Sequence, residues 1–182
     1  MSKIKSVCVF CGSQFGVNAK HKDAAAKVGR ILSEEGLKLV YGGGRIGLMG
    51  IIADSVLESG GEVIGVIPKF LEELEIGNMN ASSLIVTDDM HSRKQKMFER
   101  ADAFLAMPGG LGTLEEIFEI ITWKQLKLHS KPILILNTDH YWSGLIRVIE
   151  DTILGGFTKP DSRELITILD EPEGIRSFLK NH

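Results

Sequence analysis

Residues 108–116 read PGGLGTLEE, and this stretch joins the apolar run ADAFLAM at 101–107 to a helical pattern, EEIFEIITWKQL, at 115–126. Glycine has no Cβ, so its backbone can adopt positive φ and bring N–H groups close to a phosphate. The N-terminus of the following helix adds a dipole that favours an anion. The stretch therefore predicts a strand, a tight turn with room for a ligand, and a helix.

Short apolar runs alternate with helical patterns along nearly the whole chain. The predicted strands are IKSVCVF (4–10), LKLVY (37–41), EVIGVIP (62–68), SLIVT (83–87), AFLAM (103–107), PILILN (132–137) and LITIL (165–169). The predicted helices lie near 18–35, 47–59, 90–100, 113–128 and 141–153, with a last one after the final strand. This alternation predicts an α/β fold, a Rossmann-like parallel sheet with helices on both faces. The stretch KFLEELEIGNMNASS at 69–83 interrupts it, and we expect a mobile loop there.

The composition is that of a folded protein of ordinary charge. With 182 residues, 43% of them hydrophobic, the chain can bury a substantial core, and we expect a single domain over residues 1–182. The net charge of -3 favours neither nucleic acid nor an anionic membrane as a partner. We expect a cytoplasmic protein, since no signal-peptide cleavage site follows MSKIKSVCVFCGS and no apolar stretch approaches the ~20 residues that span a bilayer.

The cysteines and histidines give little support to redox or metal chemistry. Cys8 and Cys11 form a lone C-x-x-C, but Cys8 lies inside a predicted strand, which favours two reduced thiols over a redox pair. The five histidines are scattered and none has H-E-x-x-H spacing, so we expect no metal.

Glycine clusters follow three of the predicted strands: CGSQFG at 11–16, YGGGRIGLMG at 41–50 and MPGGLGTLEE at 107–116. None matches a Walker motif, and the first strand–helix turn lacks G-x-G-x-x-G. Each cluster alone is explained by a tight turn with close helix packing. Three clusters at strand ends favour a shared ligand-binding crevice, because the carboxyl edge of a parallel sheet is where such folds bind ligands.

Glu116 has two interpretations. Thr113 and Glu116 form T-x-x-E, a capping box that would contribute on the order of 1 kcal/mol to the helix, and a functional carboxylate at a ligand is the alternative. Glu115, Glu119 and Thr122 are spaced to share one helical face, which is usually a solvated face.

The segment MHSRKQKMFERA at 90–101 places cations on an apolar stripe. Met90, Met97 and Ala101 mark the stripe, and Arg93 and Lys94 fall on it. Two long side chains that reach the rim of the core are one explanation. A phosphate or carboxylate in the crevice is the other, since it offers Arg93 a bidentate partner and Lys94 a point-charge partner.

These motifs occur together in one known family. PGGLGTLEE fits P-G-G-x-G-T-x-x-E, and with YGGGRIGLMG, MHSRK and the opening VCVFCGS it resembles the Lonely Guy family, the cytokinin riboside 5′-monophosphate phosphoribohydrolases, often labelled lysine decarboxylase-like. The resemblance runs from about Ile4 to Leu179. Gln14 departs from it, because a second serine is expected after CGS, and this puts one contact near the ligand in doubt.

The resemblance implies a nucleotide-binding hydrolase that cleaves the N-glycosidic bond of an adenosine 5′-monophosphate, preferably substituted at N6. It implies Arg93 and Glu116 as the catalytic pair, with no metal or organic cofactor. The residues implied in substrate binding are Glu75, Arg93, Lys94, Gly109, Gly110, Leu111, Gly112, Thr113, Leu114, Glu115, Glu116 and Thr122. It also implies at least a homodimer.

Three other functions remain open at this stage. A plain AMP nucleosidase would differ only in ignoring the N6 substituent. A non-catalytic nucleotide or cofactor carrier could use the same fold, although the presence of both Arg93 and Glu116 argues against it. A literal lysine decarboxylase would need a Schiff-base lysine for pyridoxal phosphate, and no lysine has a convincing setting.

Overall fold

The structure is a computed structural model, and it describes residues 4–75, 77–78 and 80–181, with the side chains of 73–75 excepted. Its strands are β1 (Ser6–Phe10), β2 (Lys38–Tyr41), β3 (Val63–Pro68), β4 (Ser83–Thr87), β5 (Ala103–Ala106), β6 (Ile133–Leu136) and β7 (Thr167–Leu169). Its α-helices are α1 (Ala19–Glu34), α2 (Gly47–Glu58), α3 (Lys69–Glu75), α4 (Met90–Arg100), α5 (Leu111–Gln125), α6 (Ser143–Leu154) and α7 (Gly174–Lys180). Short 3₁₀ helices lie at Thr138–His140 and Pro160–Leu165.

All seven strands of the described chain join one parallel sheet in the order β4-β3-β2-β1-β5-β6-β7. Strand β1 is central: Val7 is paired with Leu39 of β2 on one side and with Ala103 of β5 on the other. The chain builds outward from β1 in one direction and then reverses to build from β5 in the other. The loops that follow β1 and β5 lead to helices on opposite faces of the sheet. Their divergence opens a crevice at the carboxyl ends of these two strands.

Helices cover the sheet on both faces, as the sequence predicts. Successive residues of β1 alternate between two cores, Val7 and Val9 entering one and Cys8 and Phe10 the other. The first core is completed by α1, α2 and α7, and the second by α4, α5 and α6. Because helices cover both faces, all residues of β1, β3, β5 and β6 are buried, whereas the edge strand β4 is mostly exposed or half-buried.

The two cysteines are free and buried, as expected from the position of Cys8 inside a strand. They enter opposite cores, so their side chains lie on different faces of the sheet. Burial raises the pKa of both thiols, which keeps them protonated and unreactive at neutral pH.

The prediction of a loop over 69–83 is wrong for the first half of that stretch, which forms helix α3. The sequence FLEELE is composed largely of good helix formers, and this local preference outweighs the lack of a clear apolar stripe. Beyond the helix, Gly77 forms an antiparallel bridge to Gly44, and the Asn78 N–H donates to the Gly43 carbonyl at 2.9 Å. Residues 76 and 79 of the predicted loop lie outside the described residues.

None of the helices in the described ranges has both the length and the apolar character needed to cross a bilayer.

Candidate active site

A cavity of about 220 Å³ opens at the carboxyl ends of β1, β2 and β5. The loop after β1 contributes Gly12 and Ser13 to its wall, the loop after β2 contributes Gly42, and the start of α5 contributes Gly110 and Gly112. The three glycine clusters of the sequence therefore meet at one site. The rest of the wall comes largely from side chains of α2, α4 and α5.

The glycine loops also pack tightly against one another. The glycines are therefore explained by tight turns and close packing as well as by a ligand. The Gly12 N–H donates to the Pro108 carbonyl at 3.0 Å, and the Leu48 N–H donates to the Gly12 carbonyl at 3.0 Å. A Cβ on Gly109 would collide with the Thr113 hydroxyl and lie 2.9 Å from the Gly12 nitrogen. Only glycine fits at this crossing of the two loops.

Helix α5 begins at Leu111, two residues earlier than the sequence predicts, and Gly110 is its N-cap. No side chain caps this end, and Thr113 is buried inside the first turn. Of the two interpretations of Glu116, the capping box with Thr113 is therefore wrong, because the helix already begins at Leu111 with the extended Gly110 as its N-cap. Leu111 and Gly112, at this uncapped start of α5, line the cavity, and a helix N-terminus favours an anion.

Helix α4 is started by a local capping box. The Asp89 side chain accepts a hydrogen bond from the Ser92 N–H at 2.7 Å, and the Asp89 N–H donates to the Ser92 hydroxyl at 3.2 Å. This cap fixes the first turn of the helix, and Arg93 is the next residue along the chain.

The Arg93 side chain runs inward from α4 and is 7% exposed. Its Nε donates to the Val66 carbonyl at 3.1 Å, and its Nη2 donates to the Gly42 carbonyl at 3.3 Å. A Cβ on Gly42 would overlap this guanidinium, so the glycine makes room for it. The rim explanation is wrong for Arg93, since its charged group is held in the interior by the carbonyl of Val66 within β3 and that of Gly42 just after β2.

Glu116 faces Arg93 from the second turn of α5. Its Oε1 lies 3.6 Å from Arg93 Nη1, beyond hydrogen-bond length, and the residue is 9% exposed. Burial raises the pKa of Glu116 to about 7, although the charge of Arg93 opposes this increase. Near neutral pH the carboxyl group can therefore both lose and accept a proton.

The other predicted binding residues differ in whether they line the cavity. Lys94 Nζ is hydrogen-bonded to Glu115 Oε1 at 2.5 Å and to Glu119 Oε1 at 3.0 Å. Glu115 lines the cavity, whereas the half-buried Leu114 packs on the second core. Thr122 is exposed further along α5, away from the cavity wall. Glu75 is the last residue of α3, and its side chain is not among those that the structure describes.

A second cavity of about 270 Å³ adjoins the first and shares Gly12, Ser13 and Gly110 with it. Gly109 belongs to this second wall, together with further residues of the three glycine clusters. His21 and Tyr141 also line it, and the sequence did not single out these two for function. Gln14, the departure from the family pattern, lies here as well.

Tyr141 fixes the glycine loop from the second cavity. Its hydroxyl donates to the Gly109 carbonyl at 2.6 Å, and the His21 ring packs edge-on against its ring with centroids 5.2 Å apart. The sequence signal for Tyr141 is weak, since it lies only in the segment after a strand, where α/β folds place ligand-binding loops.

Comparison with known proteins identifies relatives over most of the chain. A family model described as possible lysine decarboxylase matches residues 49–178. Cytokinin riboside 5'-monophosphate phosphoribohydrolase LOG1 of Arabidopsis thaliana is 47% identical over 165 residues, which is 91% of this chain and 78% of that protein. Probable cytokinin riboside 5'-monophosphate phosphoribohydrolase LOGL3 of Oryza sativa subsp. japonica is 46% identical over 181 residues, 100% of this chain and 86% of that protein.

Solved structures support the fold at lower sequence identity. The molybdenum cofactor binding protein from Rippkaea orientalis is 21% identical with a TM-score of 0.73, and the match covers 100% of this chain and 98% of that one. The molybdenum cofactor carrier protein from Chlamydomonas reinhardtii is 17% identical with a TM-score of 0.71, covering 97% and 96%. At these identities the likeness is one of fold, and it confirms the predicted Rossmann-like architecture.

Proposed function

Because the chain belongs to the Lonely Guy family of cytokinin riboside 5′-monophosphate phosphoribohydrolases, we propose that it hydrolyses the N-glycosidic bond of an adenosine 5′-monophosphate. The products are the free base and ribose 5-phosphate, and N6-substituted nucleotides are the preferred substrates. The observation that carries this proposal is the buried pair of Arg93 and Glu116, which faces a cavity beside the uncapped start of α5.

The phosphate is proposed to bind at the start of α5. Backbone N–H groups from Leu111 to Thr113 have no side-chain cap competing for them, and the helix dipole favours negative charge there. Gly109 and Gly110 keep the turn narrow enough for close approach. Since Glu116 lies in the second turn of the same helix, a phosphate at the N-terminus brings the attached ribose toward its carboxylate.

Glu116 is proposed to act on the ribose and on the attacking water. As the C1′–N9 bond breaks, the bonding electrons leave with the base and positive charge develops on the sugar, which a carboxylate stabilises. Water adds its oxygen to C1′ and gives a proton to the Glu116 carboxylate, which passes this proton on to the departing base and so returns to its starting form. A carboxyl group with a pKa of about 7 is suited to both halves of this transfer.

Arg93 is proposed to orient the substrate. Its Nε and Nη2 are anchored on the Val66 and Gly42 carbonyls, so the guanidinium cannot swing away from Glu116. One N–H of Nη1 donates to Met90 Sδ at 3.8 Å, and the other two N–H groups can donate to the ribose hydroxyls or to the phosphate. A fixed cation beside the reacting centre needs no reorganisation during the reaction, which is how such groups lower a barrier.

Decarboxylation of lysine receives no support from the site. A pyridoxal phosphate enzyme needs a lysine amine at the cofactor, and none of the described residues lining the two cavities is a lysine. The purified protein should show no visible absorbance from such a cofactor. An AMP nucleosidase without preference at N6 remains the nearest alternative activity.

We further propose a homodimer in the cytoplasm that engages neither nucleic acid nor membrane. Exposed apolar side chains at and just beyond the ends of α5 and α6, Leu126, Leu154 and Phe157, support a subunit interface. Size-exclusion chromatography with light scattering tests this, and a monomeric mass would contradict it.

The activity is tested by chromatography. The purified protein is incubated with AMP and with N6-isopentenyl-AMP, and free base and ribose 5-phosphate are quantified beside the Glu116→Gln and Arg93→Ala variants. Release that depends on both residues supports the proposal, and the ratio of the two rates reports the N6 preference. Detectable nucleotide binding without release from either compound would instead indicate a carrier.

A further inference from the structure

Two consecutive residues after β6 have a backbone conformation that side chains disfavour. Asp139 and His140, in the short 3₁₀ helix Thr138–His140, have φ angles of 55° and 60°. Among the described non-glycine residues, Lys127 is the only other one with a positive φ. Such a conformation costs free energy at each residue, and it persists only where the surrounding contacts hold it. The turn at 139–140 must therefore be fixed by its neighbours.

One set of contacts to this turn comes from Asn137, which directly follows β6. Its side-chain oxygen accepts a hydrogen bond from the Trp142 N–H at 2.7 Å, and its own N–H donates to the Leu169 carbonyl of β7 at 2.7 Å. These hydrogen bonds join both ends of segment 137–142 and attach it to the sheet. They do not involve the side chain of Asp139.

The Asp139 side chain is held by the start of α1. Its Oδ2 accepts a hydrogen bond from Asn18 Nδ2 at 2.7 Å, and its Oδ1 is paired with Lys20 Nζ at 2.5 Å. Asn18 is also the N-cap of α1, because its Oδ1 accepts a hydrogen bond from the Lys20 N–H at 3.0 Å. The hydrogen bonds from Lys20 and Asn18 lower the pKa of Asp139, so its carboxylate is charged at neutral pH. One amide group thus joins the cap of α1 to the strained turn.

Tyr141 follows the strained turn and contacts both α1 and the glycine loop. Its ring packs edge-on against His21, which belongs to the same first turn of α1 that holds Asp139. Its hydroxyl donates to the Gly109 carbonyl at 2.6 Å. The next residue along the chain, Gly110, is the N-cap of α5, where we propose that the phosphate binds. These contacts form a continuous path from the cap of α1, through the strained turn, to the start of α5.

We propose that Asp139 is a positioning residue for substrate binding. By tying the strained turn to the start of α1, it holds the Tyr141 hydroxyl on the Gly109 carbonyl beside the proposed phosphate site. Asp139 lines neither of the two cavities, so its effect passes through Tyr141. This inference rests on the proposed phosphoribohydrolase function and extends it to a residue outside the site.

The test measures steady-state kinetics with AMP in Asp139→Ala, which removes both contacts to α1. We expect KM to increase by about two- to tenfold with kcat nearly unchanged, because the glycine loop holds the phosphate in both the ground state and the transition state. Asp139→Gly adopts a positive φ freely but lacks the anchor, so it should resemble Asp139→Ala. Asp139→Asn should recover most of the wild-type KM, since it keeps an oxygen for Asn18 and tolerates this backbone conformation.

A double variant shows whether Asp139 acts through the hydroxyl of Tyr141. KM in Asp139→Ala/Tyr141→Phe should be about the same as in Tyr141→Phe alone. Asp151→Ala is the matched control, because it removes an exposed aspartate of α6 that is paired with Arg147 at 4.0 Å, and it should leave both constants unchanged.

Two kinetic results would overturn the positioning role. If the KM increases of the two single changes multiply in the double variant, Asp139 does not act through the Tyr141 hydroxyl. If KM is normal in both Asp139→Ala and Asp139→Gly, Asn137 holds the turn without the anchor to α1.

Hydrogen–deuterium exchange separates this inference from the proposed activity, because it needs no ligand. Backbone N–H groups of segment 107–113 should exchange faster in Asp139→Ala and in Tyr141→Phe than in the wild type and Asp151→Ala. If the wild-type protein releases no base from AMP, the proposed activity fails, but this exchange still decides the role of Asp139. Unchanged exchange of segment 107–113 in Asp139→Ala would overturn that role even in an active enzyme.

Discussion

The Arg93 guanidinium lies 3.6 Å from the Glu116 carboxylate, and both residues are more than nine-tenths buried. At this separation the two charges attract one another without a direct hydrogen bond, so each keeps donor or acceptor capacity for a third group. Both line the main cavity, where that third group can enter. This free capacity beside a cavity supports the role in the reaction that we propose for the pair.

Replacing Glu116 by Gln should lower turnover by about 10²- to 10⁴-fold, the usual contribution of a positioned acid or base. The amide has nearly the same shape but can neither accept the proton of water nor balance charge on the sugar. Single-turnover measurements with AMP check this, with Glu62→Gln as a control at an exposed site paired to Lys38. A Glu116→Gln protein that turns over normally would remove Glu116 from the mechanism.

The pH dependence of kcat/KM should report the same carboxyl group. Burial raises the pKa of Glu116 to about 7, and the carboxylate is the form that accepts a proton, so kcat/KM should increase with pH and level off above about 7. Initial rates across this range check the prediction. The Glu116→Gln variant supplies the control, because its residual activity should lack this step; if the step persists, another group causes it.

Stability should depend on pH through Glu116 in the opposite sense. The pKa of Glu116 is raised from 4.5 to about 7 on folding, so the folded protein binds this proton more tightly than the unfolded chain does. Its stabilising contribution is complete below about pH 4.5 and is lost as pH rises through about 7. The melting temperature of Glu116→Gln relative to wild type should therefore be higher at pH 8 than at pH 5, which differential scanning calorimetry measures, and an unchanged difference would contradict it.

Much of this fold is readable in short stretches of sequence. PGGLGTLEE gives a strand end, a glycine turn and a helix because all three depend on neighbouring residues, and Arg93 stands out because it falls on an apolar stripe. The partners of Arg93 are not readable in this way. Val66 and Gly42 lie 27 and 51 residues away, and they meet Arg93 only through the order of the strands.

The same limit applies elsewhere in the site. The charged face of α5 reads as a solvated surface, but Glu119 is bound to Lys94 of α4 across the helix interface. The start of α5 differs from the prediction because Thr113 is a plausible cap in the local sequence, whereas in the structure Gly110 is the N-cap and Thr113 lies inside the first turn. Pairings that depend on how elements pack need the three-dimensional arrangement.

Substituting Gly42 by Ala should disable the site through Arg93. The added methyl group would overlap the Arg93 guanidinium, which must then shift from its place beside Glu116. We expect turnover to fall roughly ten- to hundredfold while the protein still folds. Kinetics and thermal melting of Gly42→Ala check this beside Gly144→Ala, where a Cβ meets no atom within 4 Å and the rate should be unchanged. Normal kinetics for Gly42→Ala would show that Arg93 tolerates displacement.

Removing the hydroxyl of Tyr141 should loosen the glycine turn from outside the main cavity. The hydroxyl donates to the Gly109 carbonyl at 2.6 Å, and the adjacent Gly110 begins the proposed phosphate site. Tyr141→Phe keeps the ring against His21 and deletes only this hydrogen bond, whose net worth is about 0.5–1.5 kcal/mol. Because the turn holds the phosphate in both the ground state and the transition state, we expect KM for AMP to increase by about two- to tenfold with kcat nearly constant. Steady-state kinetics measure both constants.

Two outcomes of the Tyr141→Phe experiment would contradict this prediction. A fall in kcat at constant KM would mean that the hydroxyl acts on the Glu116 end of the site. Unchanged constants would mean that the packing of Gly109 against Gly12 and Thr113 holds the turn without the hydroxyl.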